Sequence, residues 1–180
     1  MSAPRIAPVS PPFSPPVAEA LARIMPAGVP PLGLFRSLAV NERVFLRIVA
    51  GGLLDRGSIP LRDRELVIQR TCARLGCDYE WGVHAAFFAA RARLSDADLA
   101  ATRAPPGAGA AAHDRLLFAL VDALVDTATI DDELWAALGR EWTAEQLVEL
   151  VALAGFYHLI SFAANAFRIP PEPFAAKGSI

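Results

Sequence analysis

Prolines and glycines punctuate this chain at intervals that only helices fill well. The breaks are Pro26, Pro30, Pro31 and Gly33, then Gly57 and Pro60, then Gly76, then Pro105-Pro106-Gly107-Ala108-Gly109, and finally Pro170 and Pro171. Proline lacks an amide hydrogen and cannot continue a helix, while glycine tolerates the left-handed conformation that ends one. Between the breaks, apolar residues recur every three to four positions. No useful stretch shows the two-residue alternation of a half-buried strand. The expected fold is therefore all-α, a multi-helix bundle.

The spacing predicts helices over 17–24, 34–39, from Asn41 to about 54, 62–75, from just after Gly76 to about 93, 112–125, 131–138 and 144–167. Asn41 is a suitable N-cap for the third. Ser95-Asp96-Ala97-Asp98 opens a further short helix, and Thr143-Ala144-Glu145-Gln146 is a capping box for the last. Residues 1–17 carry prolines at 4, 8, 11, 12, 15 and 16. They form an extended arm, either loose or wrapped on a neighbouring subunit. Residues 18–180 form a single helical domain with its core at about 40–100.

The hydrophobic fraction is 54% and the mean hydropathy +0.36, high for a soluble monomer. Surplus apolar surface favours a homo-oligomer. The longest apolar stretch, 147–167, is interrupted by Glu149, His158, Ser161 and Asn165. That pattern reads as a buried central helix rather than a membrane span. A net charge of -2 with both signs dispersed argues against nucleic acid, which demands a basic patch. Two cysteines make no disulfide scaffold, and the N-terminus lacks the continuous apolar core of a signal peptide, so a reducing cytoplasm is the expected setting.

Reactive side chains concentrate at Glu65, Cys77-Asp78-Tyr79-Glu80 and His84, within an apolar helical stretch. Asp78 can cap the helix that starts there, which puts Cys77 at its positive end and favours a thiolate. Cys77, Glu80, His84 and Phe88 recur at three- and four-residue spacing and share one face. Glu80 can hydrogen-bond His84, raise its basicity and fix its tautomer. A tight turn at Gly76 folds the two helices antiparallel and brings Glu65 towards the same face. Plainer alternatives exist for each residue. A Glu–His pair at this spacing is often an exposed pair worth a few tenths of a kcal/mol. Cys72, and less so Cys77, fits a small core residue. Tyr79 and Trp81 fit core or interface anchors as well as substrate contacts. His158, Ser161 and Asn165 form a second polar stripe facing either a pocket or solvent. His113 carries no expected role.

The segment Leu61-Arg62-Asp63-Arg64-Glu65-Leu66-Val67-Ile68 through Tyr79-Glu80-Trp81-Gly82-Val83-His84 resembles the carboxymuconolactone decarboxylase family, which includes the alkylhydroperoxidase-D-like proteins. Pro30-Pro31-Leu32-Gly33-Leu34-Phe35-Arg36 and Gly155-Phe156-Tyr157-His158 look like its longer members. The resemblance implies the family's all-α bundle and assembly as a trimer or hexamer. Peroxidase-type members carry a glutamate, a Cys-x-x-Cys motif and a histidine four residues beyond the second cysteine. Glu65, Cys77 and His84 match three of these positions, and Glu80 stands where the second cysteine belongs. Dithiol turnover needs an attacking and a resolving thiol. Cys72, on the preceding helix, is expected to lie too far away to serve as the second.

Three functions follow. The first is acid/base, lyase-type chemistry on a small organic acid or lactone. Here His84 is the proton carrier, Glu80 its orienter and Glu65 a second carboxylate. Arg62, Arg64 or Arg70 would hold a substrate carboxylate, unless they are simply solvated helix charges. The second is thiol-dependent hydroperoxide reduction by Cys77 with an external thiol. The third is an oligomeric scaffold without catalysis. Tyr79, Trp81 and His158 are the candidate substrate contacts. The partner expected is a small molecule. No cofactor is expected, and no metal, because the usual two-histidine ligand spacing is missing.

Overall fold

The computed structural model describes residues 4–105 and 110–175. Every regular element among them is a helix: α1 (Pro15–Ile24), α2 (Gly33–Leu38), α3 (Glu42–Ala50), α4 (Leu61–Arg74), α5 (Asp78–Ala92), α6 (Asp96–Arg103), α7 (Ala112–Thr127), α8 (Asp132–Glu141) and α9 (Ala144–Phe167). The expected loop at 105–109 falls, apart from Pro105, outside the described residues, as do the outer ends of the chain. The caps read from sequence are in place. Asn41 Oδ1 accepts from the Val44 amide, and Ser95 and Thr143 each form a reciprocal capping box. Several boundaries shift by a few residues, α7 and α8 running on to Thr127 and Glu141. α1 starts at Pro15, because proline at the first helical position costs nothing there. α3 stops at Ala50 rather than near residue 54, because Gly51 and Gly52 follow and the chain turns out of the helix.

The centre of the bundle is α4, which packs against α5, α6, α7 and α9. Every residue from Asp63 to Cys72 is buried, including Arg64, Glu65 and Arg70. Burying unpaired charge is prohibitive, so these groups must be matched. Arg70 forms a two-pronged pair with Asp122 of α7, at 2.8 and 2.7 Å. Its remaining nitrogen donates to the Thr102 and Ala104 carbonyls. Arg62 bridges Asp114 of α7 and Asp98 of α6. Asp63 accepts from Trp142 Nε1 at 3.0 Å and lies 3.1 Å from His113 Nε2. Arg64 and Arg70 are thus internal rivets, and Arg62, partly exposed, is tied to two carboxylates, so none of the three is a free substrate clamp.

The apolar α9 packs along α4 and also touches α2, α5, α7 and α8. It is long and apolar enough by composition to cross a membrane, and half of that apolar window is buried within the protein. Val148, Leu159 and Phe162 face outward. The described part of the arm is tied to its own chain. The Arg5 amide donates to the Phe167 carbonyl and the Val9 amide to the Arg36 carbonyl, and Arg36 Nε returns a bond to the Val9 carbonyl.

Candidate functional site

The site is built by the α4–α5 turn. α4 closes in a Schellman motif. Gly76 takes φ +60°, the Cys77 amide donates to the Cys72 carbonyl at 2.8 Å and the Gly76 amide to that of Ala73 at 3.1 Å. Cys77 itself then serves as the N-cap residue of α5. Asp78, expected to cap, lies one position too far in, and its carboxylate pairs with Arg103 at 2.9 Å instead. The turn sends α5 back along α4, so that Glu65 meets His84.

Glu65 Oε2 lies 2.8 Å from His84 Nδ1. Its other oxygen accepts from Arg64 Nε and Nη2 at 3.0 and 2.8 Å. A carboxylate acceptor places the imidazole hydrogen on Nδ1. The Nε2 lone pair then accepts from the Tyr157 hydroxyl of α9 at 2.8 Å. Glu80 Oε2 is 3.7 Å from the same nitrogen, too far for a hydrogen bond. The orienting carboxylate is therefore Glu65, nineteen residues away, and Glu80 is the second one. The helical pattern favoured the reverse because it registers only neighbours on one helix. Burial pushes the Glu80 carboxyl above its ordinary range. Burial likewise pushes the Tyr157 phenol far up, with Glu80 and Glu65 adding to it, so it stays protonated.

Glu80, His84 and Tyr157 form the polar wall of a cavity of about 570 Å³. The rest of its lining is mostly apolar and comes from α1, α2, α3, α5 and α9. Arg23, Arg91 and Asp55 stand at its exposed rim. The 51–60 loop closes one side. Arg64 holds it through the Leu54 carbonyl at 2.8 Å, and Glu149 accepts from the Ser58 amide at 2.6 Å. A side chain at Gly57 would collide with that carboxylate.

Cys77 takes no part in this wall. The Schellman turn sets Cys77 beside Cys72, as its C″ and C3 residues. The Ser161 hydroxyl donates to Cys72 Sγ at 3.9 Å. Cys72 is thus beside Cys77, against expectation, and Gly76 was the signal that foretold it. The Cys72 thiol, joined by the Glu80 amide, holds Cys77 below the ordinary thiol range although burial opposes it. Burial pushes Cys72 well above that range. Both thiols are free and buried.

The three expected substrate contacts lie elsewhere. The Tyr79 hydroxyl donates to Glu172 at 2.6 Å and accepts from the Leu34 amide at 3.2 Å, stapling α2 and the C-terminal segment to α5. Trp81 is buried, donates to Thr102 Oγ1 at 3.0 Å and carries the Arg103 guanidinium over its ring. His158 sits edge-on to Phe162, one residue round the helix from the position that enters the cavity. Tyr157 is the residue that pattern reading missed. Within an apolar helix its hydroxyl needed a partner, and that need was a signal for it. His113 and Asn165 hold helices together. Among the described residues, no three His, Cys, Asp or Glu side chains converge as a metal site requires.

Residues 43–122 match the model of the carboxymuconolactone decarboxylase family. No curated protein matches the chain. The matched segment contains Glu65, Cys77, Glu80 and His84. Tyr157 and the α1, α2 and α9 walls of the cavity lie outside it.

Proposed function

Since this chain carries a carboxymuconolactone decarboxylase family domain, we propose that it is a small-molecule enzyme performing acid/base, lyase-type chemistry on an organic acid or lactone. The observation that carries the proposal is the cavity wall made by Glu80, His84 and Tyr157. His84 is the proton carrier. Glu65 fixes its tautomer from behind, and Nε2 faces Tyr157 at the cavity. Lyase-type chemistry moves a proton at the reacting carbon: the Nε2 lone pair of His84 can take one, and the imidazolium so formed can return it, directly or by way of the Tyr157 hydroxyl. Glu80, whose carboxyl keeps its proton to higher pH than an exposed one, is a second donor at the same wall. Arg23 and Arg91 replace Arg62, Arg64 and Arg70 as the groups to hold a substrate carboxylate. The test is proton incorporation from deuterated water into lactone-acid substrates. Turnover that survives Cys77→Ser and disappears in His84→Ala supports the proposal. Turnover with the reverse dependence removes it.

A second reading, thiol-dependent hydroperoxide reduction, is favoured by the contact between the Cys72 and Cys77 thiols. The Cys77 thiolate would take one oxygen from a hydroperoxide, forming a sulfenic acid and releasing the alcohol. Cys72 would then displace water to give a disulfide, which an external thiol reduces.

The apolar stripe Val148, Leu159 and Phe162 suits self-association, and a homo-oligomer, trimeric or hexameric, belongs to this proposal. So do a small-molecule partner, rather than nucleic acid or a membrane, and a cytoplasmic setting. Light scattering on the purified protein measures the oligomer directly.

A further inference from the structure

The cavity is too apolar for a compact polar substrate. Met25, Phe35, Ile48, Phe87, Phe156 and Ile160 stand around it. Such walls return no hydrogen bonds to a second carboxylate or to a set of hydroxyls, so each polar group lodged there would lose its water without replacement. Among the described residues, the polar side chains of the cavity occur at two places only. Glu80, His84 and Tyr157 are buried, whereas Arg23, Arg91 and Asp55 are exposed at the rim. The buried group includes a carboxyl and has no cation to receive an anion. The rim has two cations to one carboxylate. Among the described residues, no carboxylate pairs with Arg23 or Arg91. The volume, about 570 Å³, falls in the range of sites that enclose most of a drug-sized molecule.

Resting on the acid/base reading of this site, we infer that its substrate is an amphipathic organic acid, with one acidic group held at the rim by Arg23 and Arg91 and an extended alkyl or aryl body lying along the apolar wall to His84. The division of labour in the sequence fits. Glu65, Glu80 and His84 fall within residues 43–122, the family-matched segment. Met25, Phe35, Phe156 and Ile160 lie before or after it, on or beside α1, α2 and α9. Two carboxylates and the imidazole thus come from the matched segment, while Tyr157 and much of the apolar wall come from the helices that flank it.

Calorimetric titration of the full chain with hexanoate, octanoate, decanoate and adipate tests this without any turnover. One molecule bound per cavity is expected, with affinity rising about fourfold per added methylene, the equivalent of ~0.8 kcal/mol each. Adipate, which has the length of hexanoate and a second carboxylate, should bind at least tenfold more weakly. Arg91→Gln should weaken all the monoacids by a similar factor. Val49→Phe, which narrows the cavity, should penalise decanoate more than hexanoate. A flat dependence on chain length, or adipate binding as well as hexanoate, overturns the inference, and the wild-type series alone decides it. The chemistry is read separately. If the series rises as expected but turnover survives His84→Ala, the acid/base reading fails while the assigned ligand class stands.

Discussion

Glu65 on α4 and His84 on α5 meet at 2.8 Å through Nδ1, and both are buried. A buried carboxylate and imidazole in contact fix one another, and this pair decides which nitrogen faces the cavity. Glu65→Gln should therefore release the tautomer, since an amide accepts less strongly and also donates. Nitrogen NMR of the His84 ring should move from a single Nδ1–H form to a mixture. Activity should fall by about 10²–10⁴, the usual worth of a positioned acid/base group. An unchanged tautomer would remove Glu65 from its orienting role.

Tyr157 and His158 are neighbours in sequence with opposite expected roles. Tyr157→Phe removes one hydrogen bond to His84 Nε2 without opening a void. A net value of ~1 kcal/mol for that bond corresponds to a loss of about fivefold in activity, and more if Tyr157 passes a proton. His158→Ala, at the half-exposed position, should leave kcat/KM unchanged. The two variants measured side by side test which residue of this pair enters the site.

Glu80 should cost stability at neutral pH. Its carboxyl is pushed up by burial, so between its ordinary value of about 4.3 and its raised one the folded state holds more protons than the unfolded. Stability is fully present below that ordinary value and falls as pH rises towards the raised one. Glu80→Gln has no charge to bury. Urea unfolding should find the variant more stable than wild type at pH 8, with the difference closing as pH approaches 4.5. A variant less stable at pH 8 contradicts this assignment.

Arg70 carries the join between α4, α6 and α7. Arg70→Met leaves the Thr102 and Ala104 carbonyls and much of the Asp122 charge without their buried partner. Removing one member of such a pair typically costs about 3–5 kcal/mol, and the paired change Arg70→Met with Asp122→Leu should recover much of it. Denaturant midpoints measure both. A single-variant loss below about 1 kcal/mol would show that the guanidinium is not a rivet, since ordinary surface ion pairs are worth that little.

The thiol pair makes its own prediction. Dilute hydrogen peroxide should convert wild type to a species lighter by two hydrogens, with Cys72 and Cys77 linked in one peptide. Cys72→Ala should instead accumulate a sulfenic acid at Cys77 that reacts with dimedone. Disulfide-linked dimers, or no reaction at millimolar peroxide, would leave both cysteines as packing residues and retire the thiol reading.

The helices were legible because their signals are local. Asn41, Ser95 and Thr143 cap the helices they precede, and Gly76 ends α4 as its freedom of φ allows. The Glu65–His84 neighbourhood was legible for the same reason, since a tight turn returns α5 along α4. Partner assignment was less legible. Glu80 is four residues from His84, and helical spacing favours it, yet Glu65 takes the hydrogen bond. Asp78 looked like a cap, but the Schellman turn moved the cap to Cys77. The arginines of α4 resembled surface charge. Arg62 and Arg70 find their partners Asp114 and Asp122 on a helix 52 residues further on, and no local pattern reaches that far.

Local signals along the chain dictate the all-α architecture, the turn at Gly76 and the set of ionisable residues that could react. Backbone preferences and neighbouring side chains decide those features. Packing between helices selected Glu65 over Glu80 as the partner of His84 and brought Tyr157 rather than His158 to the cavity. These outcomes depend on how α4, α5 and α9 rotate as they pack. A rotation of one residue, 100° around a helix, exchanges a side chain that enters a cavity for one that faces solvent.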